Sequence, residues 1–409
     1  MQAKVWPTII IGAGAAGLMT AIQLGRCKKD VLLLDSRKRI GAKILMSGGT
    51  RCNLTNRRVT HLDYATENPS ILRSILKQFS SKEAIDFFAD IGVDVDVEAS
   101  GKYFPKSHSA QTVLDALMVE LENVGIDLHT EKRVTQIEKK EQLFCVTGES
   151  FEYMAERIVL ATGGLSFPST GSDGGGLSIS SALGHQMIET TPALVPLLTT
   201  DKIWKSLSGL TLPVCLTLKT KAKKAQSVQG SFLFTHFGFS GPSVLNISRY
   251  WLRLRDKQNS TLTVNFLPEM SYERHEEVIL ELQKSKPTLN MKNYLKQYLP
   301  ERLASAVLKK AHILPNISMA HLKRELRIAL LTQLHASPLN ISGSMGYAKA
   351  EVTAGGVSLN EVSRKSLESN RLKGLYFCGE ILDVDGHIGG FNFQWAWSSA
   401  TVVAKALCA

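Results

Sequence analysis

The residue types with the clearest chemistry stand near the start of the chain. Thr8–Ile11 is a β-type run that opens directly into GAGAAG, a helical stretch continues to Leu24, and VLLL at 31–34 ends at Asp35. Strand, glycine turn, helix, strand and acid in this order are the parts of a dinucleotide-binding βαβ unit. Gly12 permits the tight turn, Gly14 lets backbone approach a pyrophosphate, and Gly17 lets the helix pack on the strand. Ala15 joins them at the helix N-terminus, where N–H groups and the positive dipole end favour phosphate. Asp35 follows Gly17 by 18 residues, a distance that suits acceptance from a ribose hydroxyl.

Three further segments fit the same ligand. KILMSGGTRCNLTN (43–56) is a loop-like stretch with two glycines and a lone Cys52. ATGG (161–164) ends a buried strand and holds Gly163. GLYFCGE (374–380) is another buried strand ending in Gly379–Glu380, followed by ILDVDGHIGGFN. An acid at that strand end suits the ribitol of a flavin. Four such segments in this order point to FAD. GSDGGG (171–176) lacks the strand-to-helix setting of a second fingerprint, so NAD(P)H is expected only as a transient reductant. With no C-x-x-C pair, disulfide-reductase chemistry is excluded. Candidate proton donors are Cys52, His236 in FTHFG and, behind them, His387.

The elements that must position these residues fall into blocks. Residues 70–92 and 110–125 have helical apolar spacing, Val134–Ile137 and Leu143–Val146 read as a hairpin, and RIVLATGG reads as a buried strand. Beyond residue 192, VCLTLKT, SFLFTH and TLTVNFL alternate apolar and polar residues like antiparallel strands. Residues 271–336 read as amphipathic helices, strands return near 350, and a helix over Trp395–Leu407 closes the chain. The expected organisation is an α/β, Rossmann-like FAD domain from 1–192 and 350–409. A β-barrel-like insert would occupy 193–270 and 337–349, and a helical insert 271–336.

Composition sets the remaining bounds. The 409 residues are 44% apolar and 21% charged, an ordinary globular balance. Val5–Leu24 is almost uncharged, but its glycines and Pro7 fit a nucleotide fingerprint better than a signal anchor, so no membrane segment is expected. Six scattered cysteines and no secretory leader suggest a reducing cytoplasm, with neither a metal site nor a disulfide framework. Residues 195–270 carry ten Lys/Arg against three Asp/Glu, and 271–336 carry eleven against six. That stretch therefore holds a net +12, while all the rest sums to −1. A basic excess confined to mid-chain favours a polyanionic partner. KTKAKKAQ (219–226), RYWLRLRDK (249–257), LKKAH and HLKREL (308–326) supply it.

Seven segments carry a resemblance over essentially the whole chain: IIIGAGAAGL, KILMSGGTRCNLTN, GKYFPKS, ATGGLSFPSTGSDGGG, FLFTHFGFSGPSVL, AEVTAGGVSLNEV and GLYFCGEILDVDGHIGGFNFQWAWSSA. The chain resembles the BaiN/RdsA (YhiN-like) flavoprotein family. The resemblance implies a GR2-type FAD domain made from both chain ends, with barrel-like and helical inserts. It implies reduction of uridine to dihydrouridine in large-subunit ribosomal RNA, bile-acid-related reduction or amine oxidation. An incompletely folded RNA would meet the basic inserts, since the target base must leave its stack. By the same resemblance Gly12, Gly14, Gly17 and Asp35 hold the ADP half of FAD, and the Val134 backbone faces adenine. Lys43, Ser47, Gly48 and Gly49 line the path to the ribitol. Gly379, Glu380, Gly389, Gly390, Phe391 and Asn392 sit near the ribitol and isoalloxazine ring.

Overall fold

The computed structural model describes residues 4–221 and 225–409, so the basic stretch 219–226 lies partly outside the described residues. Two compact units emerge, one from 1–192 with 347–409 and the other from 193–346.

The first unit is built on strands β1 (Val5–Ile11), β2 (Val31–Leu34), β3 (Asp127–His129), β4 (Val134–Lys140), β5 (Leu143–Gly148), β6 (Phe151–Leu160) and β7 (Leu375–Phe377). Their order is β3-β2-β1-β6-β5-β4, and β7 also pairs with β6. β3, β2, β1, β6 and β7 are mutually parallel, whereas β4 and β5 add an antiparallel edge. Ile9, Ile10 and all of VLLL are buried, as parallel strands covered on both faces require. The parallel register brings the carboxyl ends of four strands to one edge. Gly12 N–H donates to Leu34 O (2.7 Å), Ala161 N–H to Ile11 O (2.9 Å), and Cys378 N–H to Leu160 O (3.1 Å). Ligands of such sheets sit along that edge.

Helices α1 (Ala15–Arg26), α2 (Ala42–Thr50) and α3 (Phe391–Cys408) serve the same edge. α3 begins four residues before the expected Trp395, because Gly390 at φ 92° caps it from the left-handed region. Trp397 Nε1–H donates to Leu54 O and Trp395 Nε1–H to Gly379 O, both at 2.9 Å. α2 replaces the expected loop start: KILM completes a helical turn before Ser47, Gly48 and Gly49 break it.

One expectation is corrected. Cys27, just after α1, and Cys408, at the end of α3, form a disulfide with Cα atoms 6.1 Å apart. Scattered sequence positions carry no pairing information; packing of α1 against α3 brings the two thiols together.

The second unit holds a seven-stranded antiparallel sheet. Its order is Ser337–Pro338, Ser260–Asn265, Thr211–Thr220, Gln226–Phe234, Gly238–Ser240, Leu197–Thr199 and Ile341–Ser344. Alternation in TLPVCLTLKT buries Leu212, Val214, Leu216 and Leu218 on one face. These residues share one apolar cluster with Tyr294, Leu303 and Leu330 from the helical stretch. Among the described residues, no helix is long and apolar enough to cross a membrane, and no group of His, Cys, Asp and Glu is arranged for a metal ion.

Candidate active site

The three glycines of the fingerprint differ in what surrounds them. A Cβ on Gly12 (φ 105°) would lie 2.6 Å from Ala161 O, and one on Gly17 would lie 1.8 Å from Gly12 O. Both are fixed by close backbone approach. Around Gly14 no described atom lies within 4 Å of the corresponding point, and no side chain caps α1. Its first N–H groups thus face open space with no acid in the first turn, the arrangement that receives a phosphate. Asp35 Oδ2 accepts from Ala13 N–H (2.7 Å) and Oδ1 from Arg37 N–H (2.8 Å). Burial pushes its carboxyl above the ordinary range, against those N–H groups and the charges of Arg37 and Arg133. Lys132 N–H donates to Asp35 O at 2.8 Å, which ties the approach to Val134 to the same edge.

Further along, charge is concentrated in one cluster. Lys43 Nζ donates to Glu380 Oε2 and to Ser166 Oγ, each at 2.7 Å. Glu380 Oε1 accepts from Ser166 Oγ–H (2.7 Å) and from Thr353 N–H (2.9 Å). Burial raises the Glu380 carboxyl, but the Lys43 charge and these three donors outweigh it and hold it below the usual range. Thr353 Oγ1 in turn accepts from the N–H groups of Leu165 (2.7 Å) and Ser166 (3.0 Å). Ser166 and Thr353 were missed as site residues, although both lie inside motifs that carry the family resemblance.

Among the glycines around this cluster, Gly49 leaves room, whereas Gly163 and Gly379 are held by close packing. Gly48 and Gly49 are left-handed, and no described atom lies within 4 Å of a Cβ placed on Gly49. Gly163 (φ 73°) would put a Cβ 2.8 Å from Ser172 Oγ, and Gly379 (φ 78°) one 2.8 Å from Ala16 Cβ. Ser47 Oγ–H closes the turn on Ile44 O at 2.8 Å. Gly389 O accepts from Asn56 Nδ2 (3.0 Å), Asn392 clamps Gly386 from both sides of its amide, and Phe391 O accepts from Tyr64 O–H (2.8 Å). This set fits FAD: an open pyrophosphate cradle, an acid for ribose, and a Lys–Glu cluster beside glycine turns for the ribitol.

The proton-donor candidates separate. Cys52 is fully buried among apolar side chains in a left-handed conformation, and burial pushes its thiol up to about 12. Its backbone N–H donates to Ser47 O at 3.1 Å, so it closes the glycine turn. His387 N–H donates to Asp63 O at 2.9 Å. His236 is exposed in the turn between Gln226–Phe234 and Gly238–Ser240 of the second unit.

The family model described as HI0933-like protein Rossmann domain matches residues 6–406. The ribosomal RNA dihydrouridine synthase of Haemophilus influenzae is 36% identical over 409 residues, with 98% of each chain covered. The 3-dehydro-bile acid delta(4,6)-reductase of Clostridium scindens is 32% identical over 400 residues, covering 97% of this chain and 98% of that one. Among solved structures, the Mycobacterium smegmatis Sdh1 complex in the apo form aligns with a TM-score of 0.50 at 13% identity. That alignment covers 100% of this chain and 68% of the other, a likeness of fold.

Proposed function

The chain belongs to the HI0933-like protein Rossmann-domain family and is a flavin-dependent oxidoreductase; on that premise we propose that it reduces a uridine of large-subunit ribosomal RNA to dihydrouridine. FAD would lie along Gly12, Gly14, Ala15, Gly17 and Asp35 and then past Lys43, Glu380 and the glycine turns. When bound it supplies a hydride, renewed by transient NAD(P)H. The observation that carries the substrate is charge: residues 195–336 hold a net +12 in a chain of +11, and phosphate contacts are made by such surfaces. The relative at 36% identity supports the same reaction. The strands and helices of the second unit, as barrel-like and helical inserts, would meet incompletely folded RNA in the cytoplasm.

The test is nucleoside mass spectrometry of ribosomal RNA from cells with and without the gene. Loss of dihydrouridine on deletion, restored by the wild-type gene, is expected. An unchanged signal, or none in wild-type cells, removes the RNA reading.

A second reading, reduction of a small enone or ketone or oxidation of an amine, is favoured by the bile-acid reductase relative. It requires turnover without RNA and substrate binding that ignores salt. Binding through phosphates weakens steeply as salt rises.

A further inference from the structure

Uracil and a 4-en-3-one present the same problem, a carbon–carbon double bond conjugated to a carbonyl. Saturating it takes a hydride at the far carbon and a proton at the carbon beside the carbonyl. The hydride belongs to the cofactor, and the proton must come from an acid held by the chain or from water. Cys52 is enclosed by the core of its unit, and a thiol near 12 is a poor acid at neutral pH.

Glu351 is placed differently. It precedes by two residues Thr353, whose N–H holds Glu380 and whose hydroxyl holds the Leu165 and Ser166 N–H groups. As the chain enters the strand Val352–Val357, positions 351 and 353 share a face. Lys102 stands close enough for its charge to act on the Glu351 carboxyl. Lys102 is in turn the register partner of Asn56, whose amide donates to Gly389 O. Glu351 thus sits beside the Thr353–Glu380 wall of the cradle, within reach of the charge of Lys102, whose strand pairs with that of Asn56. It is exposed, and no hydrogen bond or ion pair joins its carboxylate to the described residues.

We propose that Glu351 is the acid that delivers the proton to the carbon beside the substrate carbonyl. This rests on the reductase reading but not on which conjugated substrate is the true one. The Glu351 O–H bond breaks as the substrate C–H bond forms, and the carboxylate left behind is reprotonated from water. The two electrons arrive as the hydride, ultimately from NAD(P)H, which leaves as NAD(P)+. The surroundings suit the role. Protein packed around Glu351 raises its carboxyl above the usual range even though solvent reaches it, and Lys102 opposes that rise. The other charges on the same walls are the Lys43–Glu380 pair and, beside Lys102, Glu98 with its ion-pair partner Arg51.

The test compares wild type, Glu351→Gln and Glu351→Asp as FAD-loaded full-length enzymes. Reduction of the bound flavin by NAD(P)H, followed by absorbance, is expected within about twofold of wild type in all three. Dihydrouridine formation on an unmodified large-subunit RNA transcript should fall about 100-fold or more in Glu351→Gln and partly recover in Glu351→Asp. The alkaline fall of the wild-type rate should vanish in Glu351→Gln. Independently of turnover, carboxyl 13C NMR should show Glu351 titrating above the free value near 4.3, and higher still in Lys102→Met. If wild type leaves the RNA untouched, the ribosomal reading fails, and the same three proteins with a 4-en-3-one steroid decide the role of Glu351. Unchanged turnover in Glu351→Gln, or a Glu351 carboxyl titrating at or below the free value, overturns the proposal.

Discussion

The Lys43 ammonium lies 2.7 Å from the Glu380 carboxylate across 337 residues of sequence. The pair is half-buried, with side chains 26% and 19% exposed, and two further donors, Ser166 Oγ–H and Thr353 N–H, complete the carboxylate. A group hydrogen-bonded in this way is hard to remove singly, because its partner is left under-solvated.

Lys43→Met should therefore lower stability by about 1.5–3 kcal/mol and weaken FAD binding, whereas Lys43→Arg should recover part of both. Thermal melts and flavin-fluorescence titrations check this. Because the folded Glu380 carboxyl lies below its unfolded value, its contribution is present above about pH 4.5 and is lost on acidification. The wild-type melting temperature should drop more than that of Glu380→Gln as pH falls through that region. Parallel acid slopes would sink the idea.

The fingerprint glycines allow a sharper contrast. Gly14→Ala places a methyl group in space that no described atom fills, so the apo protein should melt as wild type while FAD affinity falls about tenfold or more. Gly17→Ala drives a methyl into Gly12 O and should shift α1, lowering apo stability by roughly 1–3 kcal/mol. Equal effects on folding from both changes would contradict a pyrophosphate cradle that is open at Gly14 and closely packed at Gly17.

How much of this was legible beforehand follows from sequence distance. The turn from Gly12 to Gly17 is encoded locally, so its geometry can be read from spacing alone. Glu380 was legible as an acid at a strand end. Its partners were not, since Lys43, Ser166 and Thr353 are brought in by tertiary packing rather than by any period in the chain. The start of α3 was obscured because Gly390 and Phe391 read as loop, and only the left-handed cap reveals the helix. Glu351 sits in AEVTAGG, yet nothing in the local sequence says that the Lys102 charge reaches its carboxylate.

In the second unit, His275 is fully buried between His335 Nε2 (2.9 Å) and Tyr294 O–H (2.7 Å). Burial, with His335 beside it, pushes its imidazole down to about 4, and burial moves His335 the same way. The folded value lies below the unfolded value near 6.5. The unfolded chain therefore binds more protons in between, and stability falls as pH drops from about 6.5 to about 4. At about 1.4 kcal/mol per pKa unit the loss approaches roughly 3 kcal/mol. Calorimetry at pH 7 and pH 5 should show it, and His275→Gln should flatten the slope. A variant as acid-sensitive as wild type would rule His275 out as the cause.

The disulfide between Cys27 and Cys408 spans 381 residues, so its reduction frees a very long loop in the unfolded chain. Chain-entropy reasoning gives roughly 2–5 kcal/mol for such a link. Its position determines what else should change. Cys27 follows the last residue of α1, a helix of 12 residues, so about 18 Å of helix separates it from the open space at Gly14. Cys408 ends the 18-residue α3, about 27 Å from Gly390. Both cysteines sit at helix ends remote from the cradle, while Thr20 and Trp395 fasten the same two helices to Cys378 and Gly379 nearer the site. Reduction with dithiothreitol, or Cys27→Ser, should thus lower the melting temperature yet leave FAD affinity within about twofold, because the N-terminal turns stay anchored. Intact-mass measurement before and after alkylation reports whether the link is formed in the sample. A melting temperature indifferent to reduction, or cofactor loss in parallel with it, would mean that the far ends of α1 and α3 are not the independent clasp their placement implies.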